Sequence, residues 1–109
     1  MEEIKQNALE FLESGKDNIA KKRWNAAVSD FFKAIVTFSD FLLYKEFKIL
    51  PKNHNERFQL LEKYFPEISK KITELFMIYR ESYNLRMKEE DAYKMEEYAN
   101  EIRDIVENN

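Results

Sequence analysis

The sequence predicts an all-α protein, an antiparallel up-and-down four-helix bundle with an additional short helix, on three observations. Apolar residues recur at steps of three and four through most of the chain. One glycine and two prolines in 109 residues leave the tight turns of a β fold little to be made from. Hydrophobic residues make up 44% of the chain, enough for a core in one domain spanning residues 1–109.

The first helix is expected over about residues 2–21, where Ile4, Ala8, Phe11, Leu12, Gly15 and Ile19 fall at helical spacing. Gly15 costs about 1 kcal/mol relative to alanine in a helix interior, so it marks either a close helix–helix approach or a weak point. After the connection "KKRWN" the second helix runs over about 25–48 and is apolar nearly all round: Ala27, Val28, Phe31, Phe32, Ile35, Val36, Phe38, Phe41, Leu42 and Leu43. Such a helix is enclosed by its neighbours or shares its surface between its own domain and a partner. We expect one of its sides to be a dimer or partner surface.

Pro51 ends that segment and biases Leu50 toward extended backbone. Asn53 followed by Glu56 reads as an N-cap with its capping-box partner, opening a short third helix over about 54–64. Pro66 suits the first turn of a fourth helix, which carries Ile68, Ile72, Leu75, Phe76, Tyr79 and Tyr83 to about residue 85. The fifth, about 89–107, presents Ala92, Met95, Ala99, Ile102 and Val106 as a narrow seam.

Much chemistry is excluded. No cysteine means no disulfide, thiolate metal site or cysteine nucleophile. A single glycine cannot build a phosphate loop. One histidine cannot supply the paired Glu-x-x-His motifs of a di-iron bundle, and no carboxylate spacing around it suits zinc. No cofactor and no metal are expected. The N-terminus has the character of neither a signal nor a transit peptide, and no apolar run approaches the roughly 20 residues that span a bilayer. We therefore expect a cytoplasmic protein without membrane contact. A formal net charge of −3 argues against coating nucleic acid by bulk electrostatics, though not against a local basic patch.

The stretch "RWNAAVSDFFKAIVTFSDFLLYKEFKILPKNHNERFQLLEKYF" resembles the HEPN family (higher-eukaryote and prokaryote nucleotide-binding domains). The resemblance rests on Trp24 shortly before Ala26 and Ala27, the pair Phe31 and Phe32 on the long second helix, and Lys52 with His54 in the next loop. "NALEFLESGKDNIAKK" and "LFMIYRESYNLRM" are similar to the family's first and fourth helices. The resemblance implies a bundle that commonly forms a homodimer and works beside a nucleotidyltransferase-type partner, in a toxin–antitoxin or accessory role. Many members are ribonucleases with an arginine followed four to six residues later by a histidine. That motif is missing: no arginine here has a histidine at the required distance. The expectation is accordingly a non-catalytic binding protein, whose lone imidazole has no guanidinium neighbour. A ribonuclease with an atypical site and a generic helical interaction module are the alternatives.

His54, the one histidine, has three readings: local packing in the first turn of the third helix, a phosphate-holding rim, or proton transfer. Lys45, Lys48, Lys52, His54 and Arg57 lie within thirteen residues, next to a helix N-terminus whose N–H groups favour anions. Arg80 and Tyr83, three apart, share a helix face, and Arg86 follows. Arginine beside an aromatic ring can grip a phosphate and stack on a base. Equally, one of these arginines can pair with Asp40 or Asp30, since an unpaired aspartate in the core is costly. The candidate nucleotide- or RNA-binding residues are Lys52, His54, Arg57, Arg80, Tyr83 and Arg86. No catalytic residue is assigned.

Overall fold

The 24 residues of the central helix set the scale of the molecule. At 1.5 Å per residue such a helix is about 36 Å long, close to the 38 Å longest dimension of the fold. The computed structural model describes residues 2–108 and places five helices among them: α1 Glu2–Ala20, α2 Trp24–Phe47, α3 His54–Tyr64, α4 Pro66–Glu81 and α5 Glu89–Glu107. No strand occurs among the described residues. α2 packs against all four other helices, most extensively against α1 and α5, while α3 lies mainly on α4.

Each boundary has a local cause. Lys22 adopts a left-handed backbone (φ 58°) and turns the chain from α1 into α2. α2 ends at Lys48, also left-handed at φ 60°, whose N–H closes the last turn onto the Tyr44 carbonyl. This is the αL cap usually given to glycine or asparagine. The Asn53 side chain caps α3 by accepting from the Glu56 N–H at 2.9 Å. The expected reciprocal bond is displaced by one residue: Glu56 Oε1 accepts from the Lys52 N–H at 3.3 Å. Pro66 occupies the first turn of α4, where its missing N–H costs nothing.

α4 ends at Glu81, four residues short of the expected end. The reason lies in α2. Asn25 Nδ2 donates to the carbonyls of Ser82 and Leu85, each at 2.8 Å, and Asn25 Oδ1 accepts from the Met87 N–H at 3.0 Å. These three bonds give the α4–α5 connection partners that a continuing helix would not need. Replacing Asn25 with alanine should cost about 1–2 kcal/mol. It should also speed amide exchange at Met87; an unchanged melting temperature and exchange rate would contradict this role.

The core is built around α2. Phe31, Phe32, Ile35, Phe38, Leu42 and Leu43 are fully buried, together with Leu61 of α3, Ile72 and Leu75 of α4, and Met95 and Ile102 of α5. Gly15 lies against this core: a Cβ there would sit 2.5 Å from the Phe31 ring, so the glycine marks a close approach. The five apolar positions expected to form the seam of α5 are all buried.

Most of the apolar surface of α2 that was expected to serve a partner is covered within the chain, while Phe47 at its end stays exposed. Phe31, Phe32 and Phe38 are buried by the chain's own helices and Phe41 is half-buried. α1, α3, α4 and α5 all pack against this helix.

The polar groups of α2 are matched from within the chain. Asp30 accepts from the Ser14 hydroxyl at 2.6 Å and from Asn18 Nδ2 at 2.9 Å. Ser39, fully buried, donates to the Val36 carbonyl at 2.7 Å. Asp40 is gripped by an arginine of α3. No helix among the described residues is long and apolar enough to cross a membrane.

Candidate functional site: a histidine–arginine–aspartate cluster on an aromatic row

α3 begins at His54, so His54 and Arg57 stand three residues apart on one face of its first turn. Arg57 reaches across to α2, where its Nε and Nη2 donate to the two carboxylate oxygens of Asp40 at 2.7 and 2.9 Å. Its Nη1 lies 2.7 Å from Nδ1 of His54. Neither expected partner of Asp40 is used: Arg80 and Arg86 lie elsewhere, and Arg57 supplies the guanidinium. The expectation that His54 lacks an arginine neighbour is overturned by the same contact.

The chemistry of the contact fixes the imidazole. A guanidinium has donors and no acceptor, so Nδ1 of His54 must accept and carries no proton. The remaining ring proton is then on Nε2, and the ring is neutral. Partial burial and then the Arg57 charge hold the His54 pKa below its ordinary 6.5, against a smaller opposing pull from Asp40. Burial pushes the Asp40 carboxyl above its ordinary 3.8 even though Arg57 grips both oxygens. The fork geometry and the raised pKa point in opposite directions. The geometry governs the neutral range, since a fork held at both oxygens requires the carboxylate to be ionised.

This arrangement carries a pH signature. The unfolded chain binds a proton at His54 more readily than the folded chain does, so stability falls as pH drops from 6.5 toward the lowered folded value. Melting temperatures at pH 7.5 and 5.5 should therefore differ more in the wild type than in His54→Gln. Equal differences would remove His54 from the linkage. Asp40 acts in the opposite sense and in the carboxylate range, because its folded-state value is raised.

Beneath the cluster runs a row of rings. The His54 ring lies 6.3 Å from Phe58 and 5.9 Å from Phe76. Phe58 and Phe76 meet edge to face at 5.4 Å. Tyr79 stacks on the buried Phe32 at 4.5 Å and lies 6.2 Å from Phe76. Tyr83 closes the row at 5.5 Å from Tyr79, with their hydroxyls 2.8 Å apart. Burial, then the Tyr83 hydroxyl bond, pushes the Tyr79 phenol up to about 12. The Arg80 guanidinium lies 5.8 Å from the centre of the Phe76 ring. His54 and Arg80, twenty-six residues apart in sequence, thus share one aromatic support.

The six candidate residues divide accordingly. His54, Arg57, Arg80 and Tyr83 are joined through these contacts, and Lys52 stands exposed just before α3, linked to it by its N–H bond to Glu56. Arg86 is exposed in the α4–α5 connection, outside this set of contacts. Arg57 is the least available: its charge is spent on Asp40, and only 13% of its side-chain surface is exposed. Sequence reasoning missed Phe76, the ring on which His54 and Arg80 converge. Its position four residues before Arg80, on the same helix face, was the signal. No group of three or more histidine, aspartate and glutamate side chains suited to a metal ion occurs among the described residues.

Comparison with known family models, curated proteins and solved structures finds no match to this chain.

Proposed function

We propose that the protein is a HEPN-like helical bundle, four antiparallel helices and the short α3, that works by binding a phosphate-bearing ligand such as a nucleotide or single-stranded RNA on its α3–α4 face. The convergence of His54 and Arg80 on Phe76 carries this reading. It sets an N–H donor and an exposed cation on a ring that packs against the buried Phe32. Exposed Arg80 contributes charge, and His54 offers its Nε2–H without needing to be protonated. Lys52 adds a second cation at the mouth of α3. Arg57 serves as a positioning residue: it fixes the imidazole and leaves phosphate contact to the others.

Proton transfer fits the arrangement poorly. A general base needs an open lone pair, and that of Nδ1 is occupied by Arg57. A general acid needs the imidazolium, which burial and the adjacent guanidinium disfavour. The ribonuclease alternative is nonetheless favoured by one observation, the 2.7 Å arginine–histidine contact itself. The resemblance to HEPN proteins also supports a homodimer acting as the companion of a nucleotidyltransferase-type protein. Its interface would have to lie away from the enclosed faces of α2.

A labelled single-stranded RNA titrated at low salt separates these readings. Arg80→Ala and His54→Ala should each weaken binding roughly tenfold, in line with loss of a charge-assisted contact, while the RNA stays intact on a gel. Equal affinity in wild type and both variants would refute the binding face. Cleavage abolished by His54→Ala would establish the ribonuclease in its place.

A further inference from the structure

The turn after α4 carries a groove of about 680 Å³, lined by Met77, Arg80, Glu81, Tyr83, Asn84 and Leu85. Its volume is within the range of small-ligand sites. Three of its walls are apolar side chains left in solvent: Met77 is 61% exposed, Tyr83 72% and Leu85 56%. This exposure is built into the fold. Asn25 ties the turn to α2 through Ser82, Leu85 and Met87, and Met87 is buried beneath it. Tyr83 is steadied in addition by the Tyr79 ring and hydroxyl, which themselves rest on Phe32. The result is an aromatic platform that is both rigid and open.

The polar groups around this platform differ in kind. Arg80 offers cationic N–H donors, while Glu81 offers two acceptor oxygens and Asn84 an amide with both donor and acceptor. A bare phosphate would be drawn to Arg80 and repelled by Glu81. A flat ring with adjacent N–H donors on its edge and a phosphate at its far end satisfies both. Guanine is the base with that edge: N1–H and the N2 amino group lie side by side, matching two carboxylate oxygens, and O6 beside them suits the Asn84 amide. Uracil places its single N3–H between two carbonyl oxygens, which a carboxylate repels.

We propose that this groove is a guanine-nucleotide pocket, with the base stacked on Tyr83, its donor edge toward Glu81 and its phosphate toward Arg80. The proposal rests on the phosphate-binding reading of the α3–α4 face and extends it from charge to base identity, with Arg80 common to both.

Calorimetric titration of the full chain with GMP, UMP and inorganic phosphate tests it. GMP should bind roughly tenfold more tightly than UMP, the size of one good edge contact. Glu81→Gln should abolish that preference. Tyr83→Ala should weaken GMP roughly tenfold, the worth of a base stack, while Tyr83→Phe retains the platform and most of the affinity. Tyr83 is exposed enough for these variants to fold, and a circular-dichroism melt verifies it. If UMP binds as well as GMP, or Tyr83→Ala binds GMP as the wild type does, the base pocket is refuted. RNA binding that still depends on His54 and Arg80 would then leave the phosphate-binding face standing. No binding of GMP, phosphate or RNA would overturn both.

Discussion

Arg57→Ala should be among the most damaging single substitutions in this protein, lowering stability by about 3 kcal/mol. The loss comes less from the attraction removed than from what remains. Asp40 sits on α2 with 17% of its side-chain surface exposed, and burial already pushes its carboxyl above the ordinary value despite the guanidinium. Without Arg57 the carboxylate must stay ionised with no partner or take up a proton at higher pH. Stability of the variant should therefore fall more steeply than that of the wild type as pH rises out of the carboxylate range. Asp40→Asn should cost less, because the asparagine side-chain oxygen can still accept one of the two Arg57 hydrogen bonds. Removing both charges together, as Asp40→Leu with Arg57→Leu, should recover much of the loss, because a buried ion pair and an apolar pair of similar volume are often close in stability. Urea denaturation of Asp40→Leu, Arg57→Leu and the double variant measures this coupling; strictly additive losses would show that the pair is not a unit.

Gly15→Ala should cost about 2 kcal/mol, although alanine is the better helix former by about 1 kcal/mol. The added methyl would lie 2.5 to 2.9 Å from three atoms of the Phe31 ring, and Phe31 has no exposed surface into which to turn. Either the α1–α2 spacing widens or the ring leaves its preferred rotamer. Phe31→Leu alone loses buried surface and should also destabilise. Combined with Gly15→Ala it should do less harm than the two losses added, since the smaller side chain makes room for the methyl. A Gly15→Ala protein that melts at or above the wild-type temperature would show that α1 yields easily, and would remove the steric reason for this glycine.

The helices could be read from the sequence because their signals are local. Asn53, Pro66 and the three-four spacing of α5 act within a few residues of themselves, and each appears where the pattern put it. The end of α4 was misread because the apolar run through Tyr83 and Leu85 looks helical. What stops the helix is Asn25, some sixty residues away, and no local pattern contains it. The enclosure of α2 was hidden for a related reason. Periodicity shows that a helix is apolar all round without showing whether its own chain suffices to cover it.

The site was half legible. His54, Arg57, Arg80 and Tyr83 were singled out, yet their relations were not. The family's motif places the histidine after the arginine, whereas this contact is made by a histidine followed three residues later by an arginine. That spacing brings side chains together on a helix equally well. Which aspartate Arg57 would grip depends on the packing of α3 against α2 and had no signature in the spacing between Asp40 and Arg57.

The role of His54 turns on one proton. If Arg57 donates to His54, the imidazole is neutral at pH 7 with its proton on Nε2, which suits it to hold a ligand and unsuits it for proton transfer. Nitrogen-15 NMR of the imidazole reads the tautomer and the titration of this one histidine directly. An Nε2–H ring that protonates below pH 6.5 is expected. An Nδ1–H ring, or an imidazolium persisting at pH 7, would contradict it.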